Sequence, residues 1–195
     1  MAPIEHISLQ SLSGALGEEL AIRSCAPVAF YMLLKAYGYL PAAVEPDEFC
    51  FSLDRARLST TNADWSRPAL TRYLREKYLA KIVSWQLYGD ADIGNMKQAG
   101  YLKTDDEVNF FLHKVRSHQA KELIRQGHPM IVTMKPGFGS DENKNIHAII
   151  ITDWADDKVT VVDPDARSAK SEYEPARVED YISQQGGGTI ILPRT

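Results

Sequence analysis

Cys25 stands in "IRSCAPVAFYMLLKAYGYL", residues 22–40, directly before Ala26-Pro27 and a run whose apolar residues recur at helical spacing as far as Gly38. That spacing predicts a helix of about three to four turns with the cysteine on its first turn. Cysteine attacks as the thiolate, and a helix N-terminus favours the anion through its unpaired N–H groups and macrodipole. Pro27 suits this first turn, because its missing N–H would have had no intrahelical partner. The competing reading is an inert buried thiol, a common fate of cysteine in protein cores. A base within reach separates the two.

Five histidines are available. His6 lies in the N-terminal stretch, His113 and His118 fall on a long helix pattern, and His128 stands at that helix's exit; these read as structural or solvated. His147 differs. It opens a strand pattern immediately after "KPGFGSDENKN", residues 135–145, and so stands at a sheet rim from which functional side chains are often presented. The loop itself, polar and carrying two glycines, is a candidate flap.

The partner for His147 follows from hairpin arithmetic. If "HAIIITDW" and "KVTVVDP" are antiparallel neighbours, His147, Ile149 and Ile151 share one face, as do Val159, Val161 and Asp163. A three-residue connection pairs Trp154 with Lys158 and sets His147 diagonal to Asp163; a five-residue connection sets them directly opposite. Both registers leave the two on one face. Pro164 keeps Asp163 extended, and a carboxylate there would orient an imidazole and stabilise its cation. The plainer reading of Asp163 is a strand-to-turn exit, and Asp153, Asp156 and Asp157 lie at the turn, farther from His147.

The elements that must position these residues fall into two groups. "DEFCFSLDRARL" and "DWSRPALTRYLREKYL" read as helices after the Cys25 helix, followed by a short strand, "KIVSWQL", and a long helix over residues 104–127 with Thr104 and Glu107 as a capping box. From His128 the period changes, and "PMIVTMK", "HAIIITDW", "KVTVVDP" and "GTIILP" are short β-branched runs. Helices followed by strands argue an α+β chain, with a helical half at about 1–127 and a mostly antiparallel sheet at about 128–195, in a single domain over 1–195.

Composition limits the partners. With 22 Lys plus Arg against 26 Asp plus Glu, the net charge of -4 offers no general attraction to nucleic acid or anionic lipid. No stretch reads as a signal peptide or a membrane span, so the expected location is cytoplasmic. Cys25 and Cys50 are expected as free thiols. His113 and His118, five apart on a helix, diverge by about 140 degrees and make no metal-binding face; neither metal nor cofactor is expected. "TRYLREKYLAK" reads as an ordinary amphipathic helix, and "QQGGGTII" as a turn rather than a phosphate loop.

The order Cys, His, Asp, with the cysteine helix early and a hairpin late, resembles the papain-like cysteine peptidases of the C39-like group, the double-glycine leader peptidases among them. "SCAPVAFYMLLKAYGY" resembles the family's Cys-Gly-Pro helix; "LIRQGHPMIVTM", "NIHAIIITDWADDKVTVVDPD" and the "EPARVEDYI" helix resemble its C-terminal half. The resemblance implies a papain-like fold, with the Cys25 helix packed on the sheet. It further implies Cys25 as nucleophile, His147 as general base and then acid, Asp163 as orienter, and a peptide or protein as substrate. Ala26 replaces the family's glycine, and Glu19 stands where the family's oxyanion-hole glutamine lies, six residues before the cysteine. An ionised Glu19 cannot donate a hydrogen bond, and one good donor lost from such a hole lowers the rate about a hundredfold or more. The remaining possibilities are a protonated Glu19, the Cys25 N–H with Gln10 or Arg23, or a register shift that makes Glu19 irrelevant. Glu19 also motivates an alternative, a papain-like module that binds a peptide or protein without cleaving it; a second alternative keeps the chemistry, as an acyltransferase or transglutaminase-like enzyme using the same three residues.

Overall fold

The computed structural model describes residues 3–56, 67–86, 117–134, 138, 147–165, 171–185 and 187–194. Helix α1 (Leu9–Leu16) buries Leu9, Leu12 and Leu16 along one stripe, begins at Ser8, whose hydroxyl accepts the Gln10 N–H, and ends at Gly17 with φ 76°. The short α2 (Glu18–Ile22) leads through Arg23 and Ser24 into α3 (Cys25–Ala36). Every residue from Pro27 to Leu34 is buried, so α3 is a central core helix without a wet face. Each large apolar side chain it removes from water stabilises the fold by about 1.5–3 kcal/mol. Gly38, at φ 73°, ends α3: its N–H bonds the Lys35 carbonyl and that of Tyr39 bonds the Leu34 carbonyl. This is a Schellman closure, and its left-handed residue is the one the glycine supplies.

Helix α4 (Pro46–Arg55) starts on proline and buries Phe49, Cys50 and Leu53 against α3. Helix α5 (Arg67–Tyr78) precedes strand β1 (Ile82–Gln86), and α6 (Ser117–Arg125) precedes β2 (Met130–Met134). The expected long helix over 104–127 is seen only as α6; its capping box and His113 lie outside the described residues. The chain continues through β3 (His147–Trp154), β4 (Val159–Val162), β5 (Ser171–Tyr173), α7 (Pro175–Gln185) and β6 (Gly187–Ile191). Strand β5, three residues long, was not marked by the sequence pattern.

The strands form one six-stranded sheet in the order β1-β6-β2-β3-β4-β5, every pairing antiparallel. The fold is α+β, as the order of elements predicts, although the two halves interleave. Strand β1 crosses from the helical half to pair with β6, which is thereby covered on both sides; an uncovered β6 would present unpaired N–H and C=O groups. Alternation divides the sheet between two cores. Ile82, Ile131, Ile150, Val162 and Ile191 pack with α1 to α5. Met130, Val132, Ile149, Ile151, Val159 and Val161 pack with Ile124 of α6 and Val178 of α7.

The hairpin differs in detail from either expected register. Trp154 pairs with Val159 and Asp153 with Thr160, so four residues connect the strands. Between Ile151 and Asp153 the register shifts, and beyond it Ile151 pairs with Val161 and Ile150 with Val162. Thr152 is the extra residue of this β-bulge, and its hydroxyl donates to the Thr160 carbonyl at 3.2 Å. Past the bulge the register is the diagonal one.

Candidate active site

The N-terminus of α3 is built without a side-chain cap. Ser24 occupies the N-cap position, but at φ -92° and ψ 11° it lacks the extended geometry from which a serine caps, and its hydroxyl instead donates to the Leu20 carbonyl at 2.6 Å. Pro27 has no N–H to offer, and the first intrahelical bond runs from the Val28 N–H to the Ser24 carbonyl. The N–H groups of Cys25 and Ala26 are therefore left without a side-chain acceptor at the end of a helix whose dipole favours negative charge. Cys25 is partly exposed, whereas Cys50 is fully buried behind Ser24; both are free thiols. Burial pushes the Cys50 thiol up to about 12, only partly offset by the neighbouring Ser24 side chain.

His147 opens β3 at 4% exposure, and its Nε2 lies 2.5 Å from Oδ1 of Asp163, itself 7% exposed. Burial is the largest single influence on the imidazole and favours its neutral form. Hydrogen bonds to Asp163 and to Cys25, with the charges of both, act in the opposite sense and prevail, raising His147 from its ordinary 6.5 to about 10. Since Nε2 is engaged by Asp163, Nδ1 is the nitrogen left for Cys25. Asp163 Oδ1 also accepts the Asp165 N–H at 2.8 Å, an Asx turn that Pro164 stiffens. The structure thus bonds His147 to Asp163 and places Cys25 near enough to act on the same imidazole.

The other candidate positions are more dispersed. Glu19 is exposed on the first turn of α2. Gln10 is exposed on α1 and lines an open groove of about 810 Å³ with Glu5, Tyr31, Lys35 and Glu45, a groove whose lining includes none of the three connected residues. Arg23 pairs with Asp54 at 2.9 Å. Of the loop expected to act as a flap, Phe138 alone is described; its ring is buried 4.7 Å from that of Tyr173. Sequence reasoning missed His6, whose Nε2 donates to the Asp163 carbonyl at 2.9 Å. Its partner is 157 positions away, so no local pattern marks it.

A papain-like α+β fold with a cysteine on the first turn of its central helix, and a histidine bonded to a carboxylate at the sheet rim, defines the class of C39-like peptidases. The sequence matches the model of the Peptidase_C39 like family over residues 8–186, and the chain belongs to that family. Among solved structures it is similar to a Bacillus anthracis protein described as a candidate C39-like peptidase, with a TM-score of 0.52 at 13% identity, covering 89% of this chain and 90% of the other. At that identity the likeness speaks for the fold. No curated protein matches the sequence. No helix among the described residues is long and apolar enough to cross a membrane.

Proposed function

We propose that this protein is a cysteine peptidase that cleaves an amide bond of a peptide or protein through Cys25, His147 and Asp163. The observation that carries this reading is the His147 imidazole, bonded through Nε2 to Asp163 and near enough to Cys25 for that thiol to favour its cation. The Cys25 thiolate attacks the scissile carbonyl carbon, and the oxyanion that forms meets the uncapped N–H groups at the start of α3. His147, protonated at Nδ1, gives that proton to the leaving amine as the C–N bond breaks, leaving a thioester on Cys25. His147 then takes a proton from water, whose oxygen attacks the thioester; the acid product leaves and Cys25 is restored. Asp163 holds the ring's orientation and stabilises its cation throughout.

The test is the pH dependence of iodoacetamide alkylation at Cys25 and Cys50, read by peptide mass spectrometry. Cys25 is expected to be alkylated far faster than Cys50 near neutral pH, and His147→Ala to abolish that difference. A Cys25 that titrates like a free thiol regardless of His147 sinks the reading and leaves the non-cleaving binding module. If the pair is reactive, adding a primary amine during turnover of a peptide substrate separates hydrolysis from acyl transfer.

A further inference from the structure

Strand β4 ends its ladder at Val162, and the next two residues, Asp163 and Pro164, are buried. Their carbonyl oxygens lie beyond the last ladder pair and need donors, because a buried unpaired carbonyl is strongly disfavoured. Both donors come from the opposite end of the chain. The His6 ring donates from Nε2 to the Asp163 carbonyl at 2.9 Å, and the Leu9 N–H donates to the Pro164 carbonyl at 2.7 Å. The same N-terminal strap is fixed to the cysteine helix, since the Ile7 N–H rests on Sδ of Met32 in α3 at 3.4 Å.

We infer that His6 is a positioning residue for the site: by holding the Asp163 carbonyl it fixes the backbone from which the Asp163 carboxylate reaches His147. The inference rests on the peptidase reading of Cys25, His147 and Asp163. A carbonyl accepts only, so the bond requires the proton on Nε2 of His6, which specifies the ring's tautomer when it is neutral. The Asp163 peptide is then held on two sides, by His6 through the carbonyl and by the Asp165 N–H through Oδ1. With Leu9 on the following carbonyl, the Asp163-Pro164 segment has little freedom to turn its carboxylate away from Nε2 of His147. The strap also carries information between the two halves. A displacement of residues 6–9 relative to α3 moves the carboxylate relative to the thiol.

The experiment uses the full chain with ¹⁵N-labelled histidine. In the wild type, His6 is expected as the Nε2–H form with that proton protected from exchange; a neutral Nδ1–H ring overturns the inference. Two variants follow, His6→Leu, which keeps bulk without a donor, and His6→Gln, which keeps a donor. In His6→Leu the protonation midpoint of His147 is expected to fall by about half a pKa unit or more, a roughly threefold change in protonation ratio. His6→Gln is expected to recover most of that midpoint. A His6→Leu chain that melts earlier but keeps the His147 midpoint makes His6 merely structural and overturns the inference. Should neither variant fold, the wild-type tautomer and exchange reading decides. Asp163→Asn is run in parallel: if even that change leaves His147 and Cys25 unmoved, the three-residue site itself fails and the role of His6 falls with it.

Discussion

Nε2 of His147 lies 2.5 Å from Oδ1 of Asp163 because the hairpin that carries them contains one residue too many. Continued without interruption from Trp154 and Val159, the ladder would pair Asp163 with Ile150 and turn His147 to the opposite face. The bulge at Thr152 absorbs the odd residue of a four-residue turn, and Ile151 and Val161 return to the same core face. His147 then stands one diagonal step from the position opposite Asp163.

Asp163→Asn tests the carboxylate directly. The neutral amide keeps an acceptor oxygen but loses the charge that favours the imidazolium, so the His147 midpoint should fall from about 10. Turnover of any peptide substrate should drop by about 10²–10⁴. Histidine ¹⁵N shifts against pH, with initial rates, check both; an unmoved midpoint would mean that the bond does not govern the ring.

Cys25→Ala removes the proposed nucleophile and the second stabiliser of the imidazolium. Burial, which opposes the cation, is then countered by Asp163 alone. The His147 midpoint is expected to move down, and amide cleavage to vanish. The same NMR titration ranks the two variants.

The pair also makes stability depend on pH with a definite sign. His147 is raised in the folded state, so between its unfolded value near 6.5 and its folded value of about 10 the native chain binds the extra proton. Its contribution is complete below about 6.5 and is lost as pH rises through about 10. Melting temperatures from pH 6 to 10 should therefore fall more in the wild type than in His147→Gln; parallel curves would contradict the raised value.

Cys50 serves as an internal clock for unfolding. Its thiol is fully buried and pushed up to about 12, so alkylation should await exposure of the α3 and α4 core. The Cys50 rate in guanidinium should follow the global transition seen by circular dichroism, while Cys25 reacts well before it. Early labelling of Cys50 would point to local opening of α4.

Glu19→Gln addresses the oxyanion. If the N–H groups at the α3 N-terminus carry that charge, restoring an amide at position 19 should change kcat/KM by less than about threefold. A gain of about a hundredfold, the value of one good donor, would instead place residue 19 in the hole and identify glutamate as the cause of a weakened enzyme.

Much of this was legible in the sequence because it is local or periodic. The Cys25 helix follows from an apolar run between Ser24 and Gly38, and its Schellman closure from that one glycine. The β-branched runs of β2, β3 and β4 declare themselves by alternation, and strand parity alone nominated Asp163 for His147. The three-residue strand β5 was not legible, being too short for a period of two to register.

What only the tertiary structure decided was set by groups distant in sequence. The turn and bulge arrived at the diagonal register by a route that parity could not specify, since a bulge depends on how Trp154 and Ile151 pack into one core. Ser24, a natural helix cap by residue type, turns its hydroxyl to Leu20 because α2 ends directly beneath it, leaving the first N–H groups of α3 open. His6 is marked by nothing around it, and its role exists only because two buried carbonyls at the far end of β4 require donors. Sequence determined which residue types stand ready for thiol chemistry and on which elements they ride. The tertiary structure decided which reach one another, because long-range contacts follow from satisfying buried groups and packing two cores at once.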